Sequence, residues 1–295
     1  MGITFALLAM VCFATNIVIT RFAVTRMPVE AGFFIVLATN ILFPAAIFMF
    51  ELPLRAAPWS WDWKGAGLFA IGGVIGTFLG RRFLFDAVRI LGPSRASVFH
   101  STAPAFALVG AWLLADEILG VYEIALMAVV WAGLWFTQPR AGTLHALPPE
   151  AVRSGFLAGL LTVAGFGFGN VLRGLAVRAW DEAVLGTVLS SAAAFACQVV
   201  VTRQWGRIGA QLRAADRTTI LLYVGCGVAT SVGSIFVTLA MARLEIALAT
   251  LIVHTTPIVI FPVSVFLLKN REELTPRTVL GAALVLIGIA LLSFR

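Results

Sequence analysis

The sequence predicts an all-α membrane protein of ten transmembrane helices, arranged as two five-helix repeats of inverted topology. Three observations carry this reading. Sixty per cent of the 295 residues are hydrophobic and only 12% are charged, with a mean hydropathy of +0.99. That much apolar surface cannot be hidden inside a water-soluble domain. Apolar segments of span length recur along the chain, and its second half aligns on its first at an offset of 153 residues without a gap.

Each span needs roughly 17–25 apolar residues, and ten segments qualify: 3–24, 31–50, 65–87, 94–115, 119–137, 154–177, 183–201, 218–241, 245–268 and 277–294. The first has no basic leader and no small-residue cleavage site, so it is expected to remain as a helix. The offset pairs Leu68 with Leu221, Gly72 with Gly225, Thr77 with Thr230, Gly80 with Gly233 and Phe83 with Phe236. It continues through Ala87/Ala240, Leu91/Leu244, Ala96/Ala249, Thr102/Thr255 and Pro104/Pro257, ten identities over positions 68–104. Self-similarity of this kind defines the unit of the fold before any finer pattern does. The expected division is a first repeat at 1–138, a linker at 139–152 and a second repeat at 153–295.

An odd number of spans per copy sends the second copy into the membrane from the opposite side. Two inverted copies offer two near-equivalent conformations, one open to each face. Lys and Arg favour one side: Arg26, Arg89, Arg95, Arg140, Arg153, Arg203, Arg207, Arg213, Arg217, Lys269, Arg271 and Arg277 lie opposite the termini. Only Arg55, Lys64, Arg178, Arg243 and Arg295 share the termini's side. The positive-inside rule then puts both termini outside the cytoplasm of a plasma (inner) membrane. The net charge of +7 reads as this orientation signal and not as a nucleic-acid surface.

Catalytic signatures are missing: the sequence has no HExxH, Walker A loop or GxSxG. Cys12, Cys197 and Cys226 all fall inside spans and suggest neither disulfides nor a metal site. No cofactor is expected, and a bilayer and a small molecule are the expected partners of a monomeric chain.

Several intramembrane residues are candidates for contact with that small molecule. Gly72, Gly76 and Gly80, answered by Gly225, Ala229 and Gly233, form small-residue stripes that let helices approach closely. Asn16 and Asn170 are polar residues in spans one and six, costly in lipid unless they point into the bundle. Pro104 and Pro257 should kink spans four and nine and free the carbonyls of His100 and Val253. Both stand beside hydroxyls and an imidazole, in His100-Ser101-Thr102 and His254-Thr255-Thr256. Broken helices with freed carbonyls are how transporters build midplane sites. Residues that break the repeat suit an asymmetric ligand: Arg81, Arg82 and Asp86 stand opposite Ser234, Ile235 and Leu239. Arg82 and Asp86 are spaced to pair on one helix face, and Phe78 could line the same pocket.

The chain resembles the drug/metabolite transporter superfamily, in its ten-span EamA-type branch. Phe13-Ala14-Thr15-Asn16 and the stretch 87–117, with its fourth-span proline and a glutamate before the fifth span, carry the likeness. Positions 240–257 and Glu273-Leu274-Thr275 repeat it. The resemblance implies export of a metabolite by alternating access through a cavity between the halves. It is nearest to amino-acid exporters of the YddG type, some of them for aromatic substrates. The first span has no acidic residue, unlike the four-helix multidrug members that use one for proton exchange. The expected ligand set is Asn16, Phe78, Arg82, His100, Ser101, Asn170 and His254, with Pro104 and Pro257 as hinges. An exchanger of anionic metabolites is the alternative, and an intramembrane enzyme using a histidine base is a more distant one.

Overall fold

The computed structural model describes residues 1–55, 59–91, 99, 102–118, 120–137, 149–256, 259 and 276–293. Among these the regular structure is entirely helical. In chain order the helices are α1 (Gly2–Ala23), α2 (Val29–Glu51), α3 (Trp63–Gly72), a π-helical stretch (Gly73–Gly80) and α4 (Arg81–Leu91). There follow α5 (Ala103–Ala115), α6 (Val121–Thr137), α7 (Pro149–Ala179), α8 (Ala183–Val201) and α9 (Trp205–Ala214). The chain closes with α10 (Arg217–Met241), α11 (Ile246–His254) and α12 (Pro276–Ser293).

Among the described residues six helices are long and apolar enough to cross a membrane: Gly2–Ala23, Val29–Leu54, Trp63–Ile90, Arg153–Ala179, Ala183–Val201 and Arg217–Met241. Ala103–Ala115 and Ile124–Gly133 are shorter apolar helices. The chain is therefore an all-α, multi-spanning membrane protein, as its composition requires.

Helix packing follows the 153-residue offset. Helix α1 packs on α10, and its sequence counterpart α7 packs on α3, the π stretch and α4. Likewise α2 on α10 is answered by α8 on α3, and α5 on α7 by α11 on α1. The pairs α2–α8, α5–α11 and α6–α12 join each helix to its own counterpart. One departure is informative. Helix α10 also packs on α7 and α8 of its own half, whereas α3 and α4 pack comparably with neither α1 nor α2.

One close seam is glycine on glycine. A Cβ on Gly169 would stand 2.5 Å from the Cα of Gly76, and one on Gly165 would stand 2.8 Å from the Cα of Gly80. Only bare backbones fit at that spacing, which is how small-residue stripes associate in lipid. The counterpart seam is looser: Gly233 faces the side chains of Cys12 and Phe13, and Gly225 has nothing nearer than Ile19 at 3.7 Å.

Two apolar clusters hold the ends of the bundle. One gathers Ala6, Phe69, Val171, Trp180, Met241, Ile246 and Ile252 towards the terminal face. The other gathers Met27, Phe33, Phe34, Leu37, Phe78, Tyr223 and Cys226 towards the opposite face. At the terminal face Arg55 forms a two-pronged ion pair with Glu182 and a second contact with Glu51 at 3.2 Å. Trp59, Trp61, Trp63 and Trp180 pack edge to face beside it, and the Trp180 indole donates to Ser60 O at 3.0 Å. At the opposite face the Tyr223 hydroxyl donates to Met27 O at 2.8 Å, and Arg26 meets Asp216 at 3.5 Å.

Helix α9 was not expected from the sequence. It is amphipathic: Ile208 is buried and Trp205 packs on Phe34 at 5.2 Å between centroids, while Arg207 and Arg213 are exposed. Such a helix suits the membrane interface.

Candidate functional site

Besides the buried Asn40–Ser231 pair, polar side chains inside the bundle bear on a site in three places. The first lies between α1, α4 and α10. Asn16 and Thr20 are one turn apart on α1, their side chains 3.5 Å from each other. The Thr20 hydroxyl stands 3.3 Å from the Cys226 sulfur, which also approaches Asn16 O at 3.9 Å. Arg81 lies within electrostatic reach of that sulfur, and its guanidinium covers the Phe33 ring at 4.9 Å.

The second place is the terminal half of α7, where Arg173 and Asn170 are both half-buried. Both are close in sequence to Gly165 and Gly169, which face Gly80 and Gly76 of the π-helical stretch. Neither Arg81 nor Arg173 makes an ion pair or a hydrogen bond among the described residues. An intramembrane arginine costs at least about 2.5 kcal/mol when nothing compensates it, and such residues mark ligand or ion pathways.

The third place is the break after α11. The helix ends at His254, and Thr255 and Thr256 turn the chain immediately before Pro257, since a proline disfavours helix in the residue preceding it. The Val253 carbonyl, which a following proline leaves without its helical donor, is taken by the hydroxyl of Thr256 at 2.6 Å and its amide at 3.3 Å. The Thr255 hydroxyl bonds Ile252 O at 2.6 Å and reaches the Met10 sulfur at 3.1 Å. His254 Nδ1 lies 2.8 Å from Thr250 O, which fixes the ring against its own helix.

The remaining sequence candidates are distributed differently. Phe78 is 5% exposed inside the apolar cluster with Phe33 and Phe34, so it is packed core in this conformation. Arg82 is exposed, and Asp86 pairs with Arg89 at 3.2 Å instead of with Arg82, because the shorter i,i+3 path brings Arg89 closer. Pro104 stands in the first turn of α5, where its missing N–H removes no helical bond. It opens a helix after a turn closed by Thr102, whose amide and hydroxyl both donate to Phe99 O at 2.8 Å, and does not bend a continuous one. His100, Ser101 and Pro257 lie outside the described residues.

Sequence reasoning missed two features. Arg173 breaks the repeat opposite Thr20, just as Arg81 does opposite Ser234. The same comparison that selected Arg81 would have found it. The other is Glu117, whose carboxylate accepts the amides of Ile246 at 2.8 and 2.9 Å and of Ala247 at 3.5 Å. It thereby caps α11, where orphan amides and the helix dipole favour an anion. Arg178 binds the same carboxylate at 2.6 Å and donates to Met241 O and Leu244 O at 3.3 and 2.9 Å. The ends of α5, α7 and α10 and the start of α11 are thus tied at one point on the terminal face.

Among the described residues no three His, Cys, Asp or Glu side chains gather as a metal site. A search of curated proteins gives no match. A solved crystal structure, described only as that of a protein, is similar over 99% of this chain and 96% of its own, at 15% identity and a TM-score of 0.75. That likeness is one of fold and covers both halves. The EamA-like transporter family matches at residues 1–138 and 153–294, the stretches on either side of the linker. With nearly all of the sequence accounted for in this way, the chain belongs to the EamA-like transporter family and is a membrane transporter of small molecules.

Proposed function

We propose that the protein exports amino acids, aromatic ones among them, or similar small metabolites bearing a carboxylate, by alternating access across the seam between two inverted five-helix halves. The observation that carries this reading is the packing pattern: α1 on α10 and α7 on α3, with the other pairs exchanged by the same 153-residue offset. Two halves that meet in exchangeable pairs can swap which face is open. The two family matches on either side of the linker support the same division. Asn16, Asn170 and His254 line the path in this reading, with Arg82 at its rim; His100 and Ser101 belong to the same set by sequence alone.

The protein works as a monomer in the cytoplasmic membrane, with both termini outside. Transport is facilitated, or weakly coupled to protons through a histidine. Proteoliposomes loaded with a panel of labelled amino acids test the reading: efflux of at least one, saturable and absent from empty liposomes, is expected. No transport of any amino acid overturns it. A strict pH-gradient requirement that survives loss of both His100 and His254 overturns the histidine coupling alone.

A second reading is favoured by Arg173. An exchanger of phosphate esters needs cations inside the bundle, and Arg173 adds one to Arg81. Counterflow into liposomes preloaded with an amino acid or with a phosphate ester separates the two readings.

A further inference from the structure

Arg81 and Arg173 occupy opposite halves of the membrane. Arg81 begins α4, the cytoplasmic part of its span under the proposed orientation, and Arg173 is near the terminal end of α7. The 153-residue offset matches Arg81 to Ser234 and Arg173 to Thr20. By depth along their helices, Arg81 and Thr20 fall in one half of the membrane and Arg173 and Ser234 in the other. Each half has one guanidinium and one hydroxyl, with the two residue types traded between the copies. A duplicated scaffold has no structural need for this trade, because the ancestral positions could have kept one residue type.

Arg81 also sits where the packing departs from the repeat. Helices α2 and α4 are bridged by side chains, Arg81 over Phe33 and Phe85 edge-on to Phe33 at 6.1 Å. The corresponding seam, α8 against α10, is closed by direct helix packing. The Phe33 ring occupies one face of the guanidinium and leaves its edge donors unused. Those donors match a carboxylate in a planar, two-pronged geometry.

We propose that Arg81 and Arg173 are two carboxylate-binding stations on the transport path, one in each half of the membrane. A substrate carboxylate bonds to Arg81, with Thr20 and Asn16 beside it, and is passed to Arg173 as the halves exchange conformations. This rests on the transport reading above and adds the chemical group recognised and the residues that hold it. Among the described residues neither arginine is ion-paired, so the substrate supplies the counter-charge in transit.

A substrate-independent experiment tests the stations. Thr20→Cys is introduced into a chain whose native Cys12, Cys197 and Cys226 are replaced by Ser, and Ser234→Cys is made in the same background. Each thiol is then challenged with an anionic sulfonate-bearing methanethiosulfonate and with its trimethylammonium analogue. With each rate normalised to that reagent's rate with a free small thiol, the anionic reagent is expected to react about tenfold faster or more. Arg81→Gln should bring the ratio at T20C to about one, and Arg173→Gln should do so at S234C, while Arg→Lys at either site keeps much of the preference. A ratio that ignores the arginines, or thiols that neither reagent reaches, overturns the proposal. A transport arm compares L-phenylalanine with L-phenylalaninamide. If neither moves, the transport reading is at fault and the thiol ratios still decide the stations. If both move equally and R81Q changes nothing, transport stands and the stations are overturned.

Discussion

Glu117 and Arg178 lie 2.6 Å apart, and the same carboxylate caps the first amides of α11. The Glu117 side chain is 7% exposed and the Arg178 side chain 34%. The node is therefore a partly buried charge pair whose anion has a second set of donors. Removing Glu117 strips both α11 and Arg178 of their partner, whereas removing Arg178 leaves the carboxylate on the amides. Glu117→Ala should cost about 3 kcal/mol, and Arg178→Ala clearly less. Thermal unfolding of the purified variants in one detergent checks the order; equal losses would contradict it.

The two glycine seams predict opposite outcomes for matched substitutions. Gly169→Ala drives a methyl onto the Gly76 backbone at 2.5 Å, with no flexible side chain to move aside. A loss of about 1–3 kcal/mol is expected. Gly225→Ala meets only the tip of Ile19 at 3.7 Å, so the helix-propensity gain of up to about 1 kcal/mol should dominate. Melting temperatures should fall for G169A and hold or rise for G225A.

Tyr223 joins α10 to the turn between α1 and α2 through its hydroxyl and Met27 O. Tyr223→Phe keeps the ring in its cluster and leaves that carbonyl without its donor. A loss of about 1 kcal/mol in unfolding free energy is expected, with no change in helix content by circular dichroism.

Asp216 precedes α10, outside the spanning segment. The Thr219 hydroxyl, with its amide and Arg26 adding to it, holds the Asp216 carboxyl below the usual carboxylate range. A depressed carboxylate stabilises the fold above its unfolded value of about 3.9, and that contribution disappears as pH falls through the lower folded value. Hydrogen exchange at residues 217–220, corrected for intrinsic rates, should accelerate only below about pH 4. Asp216→Asn should flatten that dependence.

Hydropathy located the six long spans well, because lipid demands long apolar helices and allows few alternatives. The described helices start and stop within a few residues of those expectations at α1, α2, α8 and α10. The glycine stripe was equally readable, since only small residues permit the Gly76–Gly169 approach. Helix α9 escaped because ten residues are too short to span and its pattern lies in an Arg-rich connection. Its signal was there: Trp205, Ile208 and Leu212 fall at helical spacing between arginines. The Glu117 cap was legible only as a motif, because its partners lie 61 and 129 residues away. The Arg82–Asp86 pairing went wrong for a simpler reason: Arg89 offered Asp86 a competing partner.

The π-helical stretch Gly73–Gly80 has a consequence for the duplication itself. Its counterpart in α10 is ordinary α-helix, though the two sequences align without a gap. Each π turn takes in roughly one residue more than an α turn. Beyond Gly80 the first copy has therefore slipped in phase against the second, and matched sequence positions no longer point in matched directions. Arg81 and Ser234 share an address in the alignment but not a compass bearing around their helices. The two copies agree letter for letter at Gly80 and Gly233, and from that point the first is a rotated version of the second.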